Sequence, residues 1–302
     1  MPHTHHHHHD NGAGAAPTGG LYLACIAINA AFVVLEAVIG FASGSIGLLS
    51  DAGHNLGDVF SLLLALLAFR LAATRARGRF TYGFRKSSVL ISLLNAIILL
   101  VAVGAIVAES IHKIASPAAV DGAAVAWTAA AGIVVNGTTA VLLSRRKNHD
   151  INTRGAYLHM LADTLVSAGV VVSGIVISLT GWTLVDPVVG LVVAAVILVS
   201  TWELLSESVR MSIDAVPEQI DAAAVEALMA SQPGVAGVHH IHIWPISTTE
   251  VALTAHLVLE DPAEGPATVH ALKDLLLAQG IHHSTLEVES ADAPCGELGC
   301  GL

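Results

Sequence analysis

Hydrophobic positions along the chain fall into six long blocks, at 21–42, 45–69, 88–111, 123–143, 155–179 and 184–205. Each is close to the ~20 residues that a helix needs to cross the hydrocarbon core of a bilayer. Gly, Ala, Ser and Thr recur within the blocks, which suits close helix packing in lipid. Six blocks are too many for a signal peptide. Buried helices of a water-soluble protein would need far more polar chain to cover them. Beyond residue 211 the pattern changes. Residues 217–230 are rich in Ala and open on Pro217, a first-turn residue, and so predict a helix, broken by Gln232-Pro233-Gly234. Residues 235–246 and 250–259 alternate with β-branched residues and predict two strands, closed into a hairpin at 247–250. A helix over 266–279, stopped by Gly280, and a last strand over 284–289 complete the order αββαβ. The predicted architecture is an α-helical membrane domain of six transmembrane helices plus a small cytosolic α+β domain. The expected limits are 1–20 for a His-rich flexible N-terminus, 21–211 for the membrane domain and 212–302 for the cytosolic domain.

Composition narrows the function classes. Of 302 residues, 54% are hydrophobic and 12% charged, against about 25% charged in an ordinary soluble domain. Mean hydropathy is +0.71. A water-soluble enzyme and a disordered chain are both excluded. So is a nucleic-acid partner, because the net charge is −11 and no basic DNA-facing patch is present. The charge is also divided: residues 212–302 hold 13 Asp and Glu against 1 Lys or Arg, whereas residues 1–211 are nearly balanced. Arg70, Arg75, Arg77, Arg79, Arg85 and Lys86 fill one loop; Arg145, Arg146, Lys147 and Arg154 fill another on the same side; the opposite loops hold only Lys113. The positive-inside rule puts the basic side, both termini and the acidic domain in the cytoplasm. Three cysteines make no disulfide framework. Cys25 reads as a small core residue, and Cys295 and Cys300 as a soft-metal pair or a frayed end. His3 and the run His5 to His9 read equally as a native metal-binding tract and as an appended tag.

Ionisable groups inside an apolar helix are costly and mark function. His54 and Asp58 lie in the second block, His159 and Asp163 in the fifth; both pairs read His-x-x-x-Asp. A four-residue step puts both side chains on one helix face. Two such helices facing each other offer two neutral imidazoles and two carboxylates, whose two negative charges balance a divalent cation. Zinc accepts this N/O set tetrahedrally, and cadmium and cobalt are further candidates. The competing reading makes each pair an intrahelical hydrogen bond, and from the basic flanks the two pairs do not come out at quite the same depth. Asp51 is a candidate for the mouth of the site. Glu36, Asn29, Asn95 and Asn136 read as interhelical hydrogen-bonding residues, and Glu109 and His112 as solvated edge residues. In the acidic domain His239, His240, His242, His256, His270, His282 and His283 accompany many carboxylates. Alternation puts His240 and His242 on one strand face and His239 on the other, and Glu287 and Glu289 together. They are candidates for a second zinc site or for plain surface histidines. No HExxH, GxSxG or P-loop is present, so no enzyme signature and no ATP site is found.

The stretch Gly44-Ser45-Ile46-Gly47-Leu48-Leu49-Ser50-Asp51-Ala52-Gly53-His54-Asn55-Leu56-Gly57-Asp58 resembles the second helix of the cation diffusion facilitator family, close to its zinc-transporting branch. Arg154-Gly155-Ala156-Tyr157-Leu158-His159-Met160-Leu161-Ala162-Asp163 resembles the fifth, and the segments 237–244 and 280–285 resemble the family's cytosolic domain. The likeness covers about residues 20–290. It implies a homodimer of six-helix protomers in membrane lipid, with a metallochaperone-like cytosolic domain. It implies export of Zn2+ in exchange for protons, with His54, Asp58, His159 and Asp163 as the transport site. The family's cytosolic metal positions match His239 and His256, and Glu289 by character; a match to His270 depends on how a variable helix is aligned. Two departures stand out. The 70–86 loop has no His, Asp, Glu or Cys, so no metal is expected there, and Ser88 stands where the family often has Glu.

The expected mechanism is competition. Metal binding needs deprotonated ligands, and an ordinary histidine titrates at about 6.5, near cellular pH. The same site takes metal when open to the cytoplasm and protons when open outward, by rocking of helix bundles. The acidic domain would raise the local cation concentration or sense metal as a regulatory ligand. A bacterial inner membrane is the expected location. The rival readings are a proton-coupled transporter of a non-metal solute, a membrane-anchored metal sensor, and a membrane metalloenzyme; a filled four-ligand site leaves no open position for the last.

Overall fold

A computed structural model describes residues 19–43, 46–115, 122–148, 150–182 and 184–290. The N-terminal part is a bundle of six helices: α1 (Gly19–Ser43), α2 (Ile46–Ala72), α3 (Ser87–Ala115), α4 (Gly122–Ser144), α5 (Ile151–Thr180) and α6 (Val185–Ser212). Each follows one of the six hydrophobic blocks, with its ends displaced by one to seven residues. Four described stretches, Gly19–Ile39, Asn55–Ala72, Ser87–His112 and Pro187–Ser212, are long and apolar enough to cross a membrane, and Ala130–Ser144 is a shorter apolar stretch. α3 packs chiefly on α6, α4 on α5 and α1 on α2.

The bundle is inside-out relative to a protein in water. Its outward faces carry exposed apolar side chains, among them Val101 (68% exposed), Val199 (73%) and Leu179 (81%). Its interior carries polar ones that bond between helices: Asn29 Nδ2 to Thr139 Oγ1 at 2.9 Å, Ser61 Oγ to Asn95 Oδ1 at 2.9 Å, Ser92 to Ser208 at 2.9 Å and Asn55 Nδ2 to Glu36 Oε2 at 2.7 Å. Only an apolar solvent around the bundle makes both choices favourable. Small residues allow the approach: a Cβ on Gly155 would strike the Asn95 amide of α3, and one on Gly169 would lie 2.8 Å from Val189 Cγ1 of α6.

α5 starts four residues before its hydrophobic block. Asp150 caps it, its Oδ2 accepting from Thr153 N (2.9 Å) and Thr153 Oγ1 (3.0 Å). Arg154, expected in the loop, is therefore a helical residue, and it pairs with Glu203 (2.6 Å) and Glu207 (3.1 Å) of α6. Tyr22 of α1 closes this corner through a 2.6 Å bond to Thr153 Oγ1.

The C-terminal part runs α7 (Ala222–Ala230), β1 (Val235–Pro245), β2 (Val251–Leu259), α8 (Gly265–Ala278) and β3 (Ile281–Ser290), in the expected order αββαβ. The sheet order is β1-β2-β3, with β1 and β2 antiparallel and β2 and β3 parallel. Val225 and Met229 of α7 and Leu272 and Leu276 of α8 bury against Leu253, Ala255, Leu257 and Leu259 of β2. Pro217 is not in the first turn: the helix starts at Ala222, because Asp221 accepts from Ala223 N and Ala224 N and takes the capping role.

The two parts meet at a polar junction. Lys86, at the start of α3, donates to the carbonyls of Met211 (2.9 Å) and Pro245 (3.1 Å) and to the Asp214 carboxylate. Arg85 pairs with Glu250. In the β1–β2 turn, Thr248 N donates to Ser88 Oγ (3.1 Å) and Thr248 Oγ1 to Asp150 Oδ1 (2.8 Å).

Candidate metal centre

α2 and α5 run in opposite directions through the bundle. A His-x-x-x-Asp step along one therefore opposes the same step along the other. Asp58 comes level with His159, and the α2 backbone puts His54 one turn away, on the side to which Asp163 lies from His159. His159 Nε2 is 3.0 Å from Asp58 Oδ1 and 3.7 Å from Asp163 Oδ2. One ligand atom from each of Asp58, His159 and Asp163 lies within 4.8 Å of the other two. The side chains of His54 and Asp51 lie outside the described residues. Asp58 is fully buried and His159 nearly so. Asn136 of α4 donates from Nδ2 to Asp58 Oδ2 at 3.3 Å. It was expected to bond between helices, and the helix it bonds to carries a site carboxylate, so it orients a candidate ligand.

Two carboxylates and an imidazole in a water-poor interior are costly unless a cation or protons neutralise them. Their donor set of hard oxygens and one borderline nitrogen suits a divalent ion of the zinc type. The spacing is short enough for one ion to touch all three.

The second cluster lies on the sheet face away from α7 and α8. One ligand atom each from His239, His256 and Glu289 falls within 4.8 Å of the others. His256 Nδ1 is 2.7 Å from Glu289 Oε1, and His239 Nε2 is 3.3 Å from Glu289 Oε2. His256 Nε2 is 3.7 Å from Glu287 Oε2, so Glu287 and Glu289 share a face, as alternation predicts. The alternation fails on β1. The register shifts between His239 and His242, and His240 takes φ 51°, a bulge that turns it toward its neighbour's face. His239 and His240 both lie against His256, with ring centroids 5.2 and 5.0 Å away. Placing His239 and His240 on opposite faces is thus corrected by a kink that strand periodicity cannot show. His270, His282 and His283 are exposed and away from this cluster; His283 Nε2 instead lies 3.2 Å from Arg85. Glu109's side chain, the N-terminal histidines, Cys295 and Cys300 lie outside the described residues. Cys25 is buried, as expected.

Residues 22–211 match the transmembrane domain of cation efflux proteins, and residues 217–291 match their cytoplasmic domain. The chain is 35% identical over 283 residues to the zinc transporter ZitB of Yersinia pestis, covering 93% of this chain and 90% of that one. It is 31% identical over 264 residues to the cadmium, cobalt and zinc/H(+)-K(+) antiporter of Bacillus subtilis (86% and 85% covered). It is 32% identical over 273 residues to the metal cation efflux system protein CzcD of Cupriavidus metallidurans (89% and 85%). With an inside-out helical bundle, an intramembrane His/Asp cluster and both family domains in order, the chain belongs to the cation diffusion facilitator family, in its zinc-transporter branch.

Proposed function

We propose that this protein exports divalent cations, Zn2+ first with Cd2+ and Co2+ as further substrates, from the cytoplasm in exchange for protons. The observation that carries this reading is the convergence of Asp58, His159 and Asp163 inside an apolar bundle. His54 completes the site as its fourth ligand. Six helices span a bacterial inner membrane, with both termini cytoplasmic, and the protein works as a homodimer. Residues 21–211 form the transport domain and 212–302 the cytosolic domain. His239, His256 and Glu289 hold a regulatory zinc ion. The names of the relatives, all metal transporters or efflux proteins, support transport over catalysis and over a non-metal substrate.

The exchange follows from the ligands. Asp58 and Asp163 need a positive partner wherever they are buried. A cation supplies it in the loaded state, and protons supply it on the return. The test is flux in proteoliposomes that hold a zinc dye and a pH dye. Wild-type protein moves zinc one way and protons the other; Asp58→Ala and His159→Ala move neither. Zinc flux retained in both variants would overturn the transport site, and removal of residues 212–302 with loss of all response would favour a sensor.

A further inference from the structure

The α2–α3 loop has no metal ligand, yet it is a folded element. Arg77 and Phe80 exchange backbone hydrogen bonds at 3.1 and 3.0 Å, and Gly83 N donates to the Phe80 carbonyl at 3.0 Å. Gly78 and Gly83 take φ 57° and 68°, and a Cβ on Gly83 would strike the Thr74 carbonyl. Phe80 and Phe84 stack with ring centroids 4.6 Å apart. This frame holds Arg75, Arg77 and Arg79 out to solvent beside two half-exposed aromatics, Phe80 and Tyr82. Among the described residues no carboxylate pairs with those three arginines, whereas Arg85, Lys86 and Arg154 all have acidic partners. The loop follows directly on the apolar end of α2, where phospholipid headgroups lie. Topology alone would require only charge on this side. A glycine-dependent turn that presents three unpaired guanidinium groups and interfacial aromatics does more.

We propose that Arg75, Arg77 and Arg79 bind the anionic phospholipid headgroups of the cytoplasmic leaflet, with Phe80 and Tyr82 seated at the interface. Guanidinium forks pair bidentately with phosphate, and aromatic rings favour the headgroup depth. Each basic residue at an anionic surface raises the local preference about fivefold, so three give on the order of a hundredfold. The test is native mass spectrometry of the full chain titrated separately with phosphatidylglycerol and phosphatidylcholine. Wild-type protein binds phosphatidylglycerol in preference, and 0.5 M salt, which shortens the screening length from about 10 Å at 0.1 M to about 4 Å, weakens that preference. The R75Q/R77Q/R79Q variant, checked for its helical circular dichroism, loses about tenfold or more of it. The R145Q/R146Q/K147Q variant removes the same formal charge from the other basic loop and keeps it. No preference in wild type, no effect of salt, or equal loss in both variants would each overturn the assignment.

Discussion

Asp150 is the residue through which the cytosolic domain holds a ligand-bearing helix, and its replacement gives a graded prediction. Its Oδ2 caps α5 by accepting from Thr153 N and Oγ1, and its Oδ1 accepts from Thr248 Oγ1 of the β1–β2 turn. Loss of a side-chain cap costs about 1 kcal/mol. A hydrogen bond to a charged group contributes about 1.5–3 kcal/mol, but the Thr153 hydroxyl retains Tyr22 and the Thr248 hydroxyl regains water. Asp150→Ala should therefore cost about 2–4 kcal/mol in all. In a protein of this size that lowers the melting temperature by about 3–6 °C. Asp150→Asn keeps a capping oxygen and should lose less than half as much. The assay is thermal unfolding in detergent followed by tryptophan fluorescence, with zinc flux measured on the same preparations. His159 lies eight residues into α5, about 12 Å from its start, so flux should fall but persist. A double-mutant cycle with Thr248→Val should show coupling of about 0.5–3 kcal/mol. If Asp150→Ala melts with the wild type, or Asp150→Asn loses as much as Asp150→Ala, the capping argument is wrong.

Two further outcomes follow from single sites. Gly83→Ala puts a Cβ on the Thr74 carbonyl at a positive φ; it should cost about 1–3 kcal/mol, read as faster proteolysis within the 73–86 loop, and unchanged cleavage would contradict the strain. Zinc binding to His239, His256 and Glu289 needs neutral imidazoles, so it should weaken on acidification. Calorimetry on a variant lacking the transport site should show tighter binding at pH 7.5 than at pH 5.5; a flat profile would remove the histidines from the ligand set.

The sequence carried most of the fold because lipid imposes a strong pattern. Six apolar blocks became six helices, and β-branched alternation with Gly280 and Gln232-Pro233-Gly234 breaks became the αββαβ order. The His-x-x-x-Asp repeats made the intramembrane cluster legible, since ionisable side chains stand out in an apolar block. Three features were not legible, each for a physical reason. The bulge at His240 depends on backbone geometry, and no residue pattern reports a shifted register. Arg85 and Lys86 were read as charges that set orientation, but their partners Glu250 and Asp214 are more than a hundred residues away. Asn136 sits in an apolar helix with no carboxylate nearby in sequence; only packing of α4 brings it to Asp58. Asp150 did leave a signal, an Asp-x-x-Thr step before an apolar run, which is an N-cap pattern.

The charge of the transport site leads to a reversal of stability with zinc. Asp58 is fully buried, and Asp163 approaches the same His159 Nε2. Without metal, two carboxylates share one imidazole in the bundle interior, an arrangement that costs stability unless protons neutralise it. Asp58→Asn keeps the shape, and its amide oxygen still accepts from Asn136, while one buried charge is gone. The metal-free variant should therefore melt above wild type, because it buries one negative charge fewer. Zinc at a hundred times its dissociation constant adds about 2.7 kcal/mol to a protein that binds it, and the variant gains little of this. The order of melting temperatures should cross: variant above wild type in chelator, wild type level with or above the variant in zinc. Acid should narrow the metal-free gap, because protons neutralise the wild-type carboxylates as the cation does. Melts at pH 8 and pH 6, with and without zinc, read all four states. A metal-free variant less stable than wild type would mean that Asp58 is held mainly as a structural partner of His159, and the case for a site kept charged for its cargo would fail.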